Sequence, residues 1–464
     1  MLVKCCLTTL LKSSHRRFSS IALVIVSFAC AVTPVRAPEQ PGDGKHAAKF
    51  GAAVVLPIRL EPTTIGGSEG TVLRVTTLAA DGPGSLRSAL EDGRPRLVVF
   101  EVGGVIDLQG RSLDVRHPFL TVAGQTAPDP GITLIRGSLT VETHDVIVEH
   151  IAVRPGDRGA GGEWSPDALG AHRGSAGPVH HVVFDHCSAT WAIDENLSAS
   201  GPADVDSVAD PDITSHDITL RHCLIAEGLS HATHPKGEHS KGTLIHDGVR
   251  NVVITGCLYA HNRERNPRLK GGTTSIVAGN VMYNWGAACV GVGKHGNRQT
   301  LQPSETVLVG NVAIAGADTH ARLFVKSVDP GGRVFLRDNV AVAANGTPIA
   351  MTDDGVVPMP APDLPAIRPW TAAAEVLRSA GARPAHRDPI DARIVRSVID
   401  GGGTIIDSQE QVGGYPVRTP TVRALTVPDG ADARRKWLDR LSRALDEDTT
   451  VNLSPLWKRM GLPY

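Results

Sequence analysis

Aromatic side chains are scarce in this chain, 4% of 464 residues. A core of large rings is therefore excluded, and the interior must be layered from Val, Ile, Leu and Ala. Cysteine is nearly as rare, with 7 in all. Cys187, Cys223, Cys257 and Cys289 are spaced too widely for a disulfide scaffold or a zinc cluster, so they read as buried free thiols that pack as small hydrophobes. Excess charge is missing too. The formal net charge is −1, which excludes a general grip on nucleic acid and leaves any anionic ligand to a local basic patch or a bridging cation. The apolar run Ile21–Ala29 is short of the ~20 residues that span a bilayer.

That run belongs to an export pattern. Lys4, Lys12, Arg16 and Arg17 precede it, and Val35-Arg36-Ala37 places small residues at cleavage spacing. Residues 1–37 are expected to leave as a signal peptide, a retained membrane anchor being the alternative. The mature chain would be secreted, without stable membrane insertion, monomeric and mildly acidic, its charge falling from −1 to −6. Residues 38–70 read as a Pro/Gly-punctuated leader.

The middle of the chain repeats itself. His181–Cys187, Asp217–Cys223, Asn251–Cys257, Ser275–Asn280, Val307–Asn311 and Val334–Asn339 each give a short β-branched strand, a polar turn and then Cys or Asn. The Cys/Asn positions recur at 36, 34, 23, 31 and 28 residues. Periods in this range signal a solenoid, and strands with almost no helical periodicity select a parallel β-helix. Rungs stacked about 4.8 Å apart would let Asn pass hydrogen bonds along an inward column, with Cys filling the same slot. The competing reading, a β-sandwich, calls for regular short spacing; unequal repeats with a constant kernel disfavour it. The expected fold is all-β, a right-handed single-stranded parallel β-helix over residues 71–350. Ser85 is expected to N-cap a short helix over the first rung. Residues 351–464, Pro-rich and then helical with a Trp437, Leu438, Leu441, Leu445 stripe, read as an accessory extension wrapped on the solenoid.

Function is concentrated in His261–Gly272, which packs Arg263, Arg265, Arg268 and Lys270 into eight residues around Pro267. In an extended segment Arg263 and Arg265 would share one face, giving a positive comb suited to a polyanion. Carboxylates lie on the preceding repeats: Asp167 before the first Cys rung, Asp194 and Glu195 after it. Stacking would bring Asp167 and Asp194 together, and converging carboxylates offer the hard oxygens that Ca²⁺ takes. Either aspartate alone would read as a turn residue. His231, His234 and His239 lie in a Gly-rich loop with Lys236 and Lys241; their spacing suits loop or substrate hydrogen bonds better than a metal.

The segments Leu120–Ala127, Asp185–Ser188, Trp191–Ser198 and Asn262–Gly272, with Gly84–Arg87, resemble the pectate lyases, polysaccharide lyases of the β-helix class, across residues 72–345. The resemblance implies Ca²⁺-dependent β-elimination of polygalacturonate. It matches Arg265 to the arginine that removes a proton, and Lys270 to a place where the family usually has a second arginine. It sets Asp167 and Asp194 on calcium-ligand positions, with Ser198 where a further Asp is frequent, so that Glu195 or the substrate's own carboxylates would have to compensate. Lys241 is the better match for the family's substrate lysine, with Lys236 the runner-up, and Arg268 and Lys270 face the substrate as carboxylate clamps. Asp185 and His186 read as structural turn residues. A static clamp remains the alternative role for Arg265. Two other functions stay open: a β-helix glycoside hydrolase using paired carboxylates, and a non-catalytic binder of acidic glycans.

Overall fold

The structure, a computed structural model, describes residues 62, 64–158, 164–174, 177–201, 214–293, 303–328 and 332–462. The export segment and most of the leader lie outside them. Short strands recur in sets of three, each set one rung beyond the last. Eleven of them, from Thr71–Val75 to Val356–Pro358, stand in chain order in one sheet. A nine-stranded sheet runs from Leu113–Val115 to Ala350–Thr352. The third sheet, from Val102–Asp107 to Val340–Val342, is extended to ten strands by the tail strand Thr421–Val422. Pairing between rungs is parallel, for example Val182↔Ile218↔Val252↔Ser275; the tail strand Thr421–Val422 pairs antiparallel. A chain that visits three sheets in turn and pairs only with its own next turn is a parallel β-helix, as the repeats predicted.

The repeating kernel marks one corner of this coil. Cys187, Cys223, Cys257, Asn280, Asn311 and Asn339 each follow the eleven-stranded sheet and open the turn into the third. Cys257 N–H donates to Asn280 Oδ1 at 2.8 Å, Asn280 N–H to Asn311 at 3.0 Å, and Asn311 N–H to Asn339 at 3.0 Å. The residue before each column member has a left-handed backbone: His186 (φ 47°), Gly279 (φ 62°), Gly310 (φ 67°) and Asp338 (φ 56°) among them. That conformation turns the chain sharply enough to leave one sheet for the next. Glycine adopts it without a Cβ clash, and the short polar side chain of Asp tolerates it. All four body cysteines are free and buried.

Helix α1 (Leu86–Leu90) is N-capped by Ser85, whose side chain accepts from Ser88 N–H, and it buries Leu86, Ala89 and Leu90. The coil runs a few residues past the boundary at 350 that the prolines suggested. Pro358 lies in the terminal strand of its sheet, where a missing N–H is tolerated.

The extension folds back on the third sheet. Helices α2 (Pro369–Ser379) and α3 (Pro389–Asp400) set Val376, Leu377, Ile390, Ile394 and Val398 against Trp191, Leu224, Leu258 and Val281. Helix α4 (Ala431–Arg443) inserts Leu438 between Leu97, Val99 and Ala123, and α5 (Ser454–Met460) buries Leu456. Arg393 grips Glu227 with both terminal nitrogens, at 2.6 and 2.8 Å.

His261 couples this docking to pH. Its ring donates to Ser397 Oγ on α3 at 2.7 Å and accepts from Asn284 at 2.9 Å. Burial pushes its pKa from 6.5 down to about 4. The unfolded chain therefore takes the proton first. Stability from neutral His261 is complete above pH 6.5 and is lost as pH falls through about 4. His261→Gln should flatten the Tm profile across that window, removing a pH-dependent loss of at most about 3 kcal/mol. An unchanged profile would locate the acid sensitivity elsewhere.

Candidate active site

The nine-stranded sheet carries the charged residues. Glu195 opens the strand Glu195–Ser200, pairs in register with Lys241 on the next rung, and Lys241 bridges to Glu264 on the one after. Leu244 pairs with Arg268, and Arg268 with Gly291. A Cβ on Gly291 would come within 2.8 Å of Arg268 Cδ, so the glycine makes room for the arginine side chain to cross it. Asp194, Glu195, Lys236, His246, Glu264, Arg265, Arg268 and Lys270 line a cleft of about 320 Å³ with Leu244, Ala288, Gly291 and Val328.

Three carboxylates converge on one wall. Asp167, Asp194 and Glu195 each offer an oxygen, all within 4.8 Å of one another. Glu195 N–H donates to Asp167 Oδ1 at 3.0 Å, and Ser198 donates its hydroxyl to Asp167 Oδ2. His172 in turn donates to Ser198 Oγ at 2.6 Å. Burial opposes a charge on His172, yet Asp167 holds its pKa above the ordinary value. Asp194 accepts from His239 at 2.6 Å, with His234 3.6 Å away. Burial works against its charge, but His239 and Arg265 keep its carboxyl below the usual range.

Arg265 faces this cluster. Its guanidinium lies 3.9 Å from Asp194 and forms an ion pair with Glu195. Burial lowers its pKa, with Asp194 and Asp167 opposing. Lys270 Nζ is held by Asp247 at 3.1 Å and His246 at 3.3 Å, and burial lowers its pKa as well. Lys236 is exposed at the cleft. Lys241 is 5% exposed and bonded to Glu264 at 2.9 Å, beneath the cleft surface.

One expectation needs correction. Arg263 and Arg265 do not share a face. The preceding strand ends at Ala260, Arg265 is left-handed (φ 64°), and strand geometry returns only at Arg268–Leu269, so period-two alternation never applies. Arg263 turns instead to Glu238 at 2.8 Å and Glu264 at 2.9 Å. Asp194 sits in the bend before the strand that Glu195 opens, and both offer an oxygen to the same cluster.

The donor set suits a hard cation. It is all carboxylate oxygen, from Asp167, Asp194 and Glu195. Ring N–H groups of His239 on Asp194 and, through Ser198, of His172 on Asp167 would hold these carboxylates in orientation around the ion. The supporting residues His172, His246, Asp247 and Glu264 left no sequence signal of their own, whereas His234 and His239 stood out in their Gly-rich loop. Their roles come from rungs meeting across loops of unequal length.

Over 409 residues the chain is 31% identical to a protein named probable pectate lyase C from Aspergillus oryzae, covering 83% of this chain and 88% of that one. The Aspergillus terreus protein of the same name is 31% identical over 371 residues, 75% of this chain and 78% of its own. The chain belongs to the pectate lyase family. Among solved structures, a pectate lyase bound to hexasaccharide aligns with 69% of this chain and 98% of its own at 14% identity, TM-score 0.46. No protein-family model matches the chain. Ser198 and His172 stand beside Asp167, where the resemblance led one to look for another carboxylate. Among the described residues no helix is long and apolar enough to cross a membrane.

Proposed function

We propose that this protein is a secreted pectate lyase that cleaves polygalacturonate by β-elimination. The observation that carries the proposal is the cleft in which Arg265, Arg268, Lys270 and Lys236 face the Asp167–Asp194–Glu195 cluster, in a chain of this family. The cationic wall would hold the uronate carboxylates, with Arg268 as a planar fork and Lys270 as a point charge. Arg265 would take the C5 proton; the electron pair then forms the C4–C5 double bond and the glycosidic oxygen leaves C4. Burial of Arg265 favours the neutral guanidine needed for that role. Asp167, Asp194 and Glu195 would hold Ca²⁺, which when bound supplies positive charge to neutralise the uronate carboxylate and stabilise the developing enolate. Asp185 and His186 lie on another corner and have no part in this cleft.

Incubation with polygalacturonate is expected to yield an ultraviolet-absorbing unsaturated product, lost with chelator and restored by Ca²⁺. Reducing ends without that absorbance would sink the lyase in favour of a hydrolase, and binding without cleavage would favour a glycan-binding protein. Asp194→Asn should weaken calorimetric Ca²⁺ binding about tenfold or more, on the scale of a lost ligand charge. Lys236→Ala should raise KM with little change in kcat, because Lys236 reaches the cleft without contacting the carboxylate cluster; unchanged KM would remove it from the substrate path.

A further inference from the structure

A second group of metal-ligating side chains lies away from the cleft, where the extension meets the coil. His150 and His186 occupy the same corner on neighbouring rungs, their rings stacked at 5.0 Å. Asp446 reaches them from the turn that follows α4. Its Oδ1 lies 3.6 Å from His150 Nε2 and 3.7 Å from His186 Nε2. These distances are too long for hydrogen bonds. Indeed, His186 Nε2 and Asp446 Oδ1 are both buried without a hydrogen-bond partner, and the His186 residue is only 5% exposed. Buried polar atoms left unmatched in this way call for an explanation.

The far sides of both rings are fixed. His150 Nδ1–H donates to the Ala382 carbonyl at 2.8 Å, and His186 Nδ1–H to Asp185 Oδ1 at 2.9 Å. Each bond assigns the proton to Nδ1 and leaves Nε2 free of it, on the side of the ring where Asp446 lies. A carboxylate or a carbonyl behind an imidazole is the usual outer-shell arrangement of a metal-ligating histidine. With bonds of about 2.0–2.1 Å, tetrahedral zinc donors stand about 3.3 Å apart; Asp446 Oδ1 stands 3.6 and 3.7 Å from the two ring nitrogens, and all three donors lie within 4.8 Å of one another. Ser442 Oγ, 3.1 Å from His150 Nε2, or a water could complete the set. We propose that His150, His186 and Asp446 bind a first-row divalent transition ion of the zinc class, which staples the turn after α4 to two adjacent rungs. Two imidazoles and one carboxylate suit such an ion and not Ca²⁺. Burial also keeps His150 neutral, its pKa pushed down to about 3. Asp185 favours a protonated His186 despite burial, and the ion would take that proton's place.

The test uses the full chain, stripped with chelator and titrated calorimetrically with Zn²⁺, with Co²⁺ as a visible-absorption probe. Asp194→Asn is the background, so that the Asp194–His234–His239 group of the cleft does not contribute. Asp446→Asn, which keeps the side-chain shape, is expected to lower affinity at this site about 100-fold or more, and Asp185→Asn about 10–100-fold. Zn²⁺ should raise Tm in the background protein and not in Asp446→Asn; if that variant fails to fold, His186→Gln replaces it. Equal stoichiometry and affinity with and without Asp446, or Co²⁺ absorption that is the same in both, overturns the site.

Discussion

Arg265→Lys is expected to reduce turnover on polygalacturonate by about 10²–10⁴-fold, the range of a lost general base, while KM moves little. The substitution keeps a positive charge beside Asp194 and Glu195, so the carboxylate cluster retains its counter-ion. What disappears is the planar fork and its placement on the cleft wall. A fall in kcat at nearly constant KM marks an interaction made in the transition state. If Arg265 is a static clamp, the signature reverses: KM rises and most turnover survives. Lys241 provides the comparison. It is buried against Glu264, so Lys241→Ala should chiefly disturb the fold around Glu264 and Arg263. Retention of turnover in Arg265→Lys with its abolition in a folded Lys241→Ala would move the base to the lysine.

Arg154→Ala should destabilise the protein by about 3–5 kcal/mol, the scale for stripping one partner from a buried ion pair. Arg154 is fully buried. It donates to Asp388 at 2.7 Å and Asp391 at 2.8 Å, both at the start of α3, and to Thr190 Oγ1 at 3.2 Å. Burial works against all three charges, and Arg154 nevertheless holds the Asp388 carboxyl below its usual range. Removing the guanidinium leaves two carboxylates facing each other in a dry interface. Thermal or denaturant unfolding measures the loss. Arg154→Met combined with Asp388→Asn and Asp391→Asn should recover most of it, since the penalty comes from uncompensated charge. A loss below about 1 kcal/mol in Arg154→Ala would mean that water reaches the carboxylates and the pair is no tether.

Much of this architecture was legible along the chain. The Cys187–Asn339 column could be read because every rung needs the same three things in the same order: a β-branched strand, a left-handed corner residue and a compact inward plug. Ser85 could be read as a cap because capping is settled within four residues. The basic stretch announced itself by density. Its side-chain directions did not, because the strand ends at Ala260 and the left-handed His261 and Arg265 leave no alternation between Arg263 and Arg265 for a same-face argument to use.

The sequence by itself determined the repeat, the β class, the family resemblance and the identity of the charged groups, all of which rest on local periodicity and short motifs. Only the tertiary structure decided which charges meet. His239 reaches Asp194 across 45 residues, Lys270 reaches Asp247 across 23, and Arg154 reaches Asp388 across 234. In a coil whose rungs differ in length, sequence separation carries no fixed spatial meaning. A residue's neighbours are set by the register of stacked strands, and by the fold of the extension that packs on them.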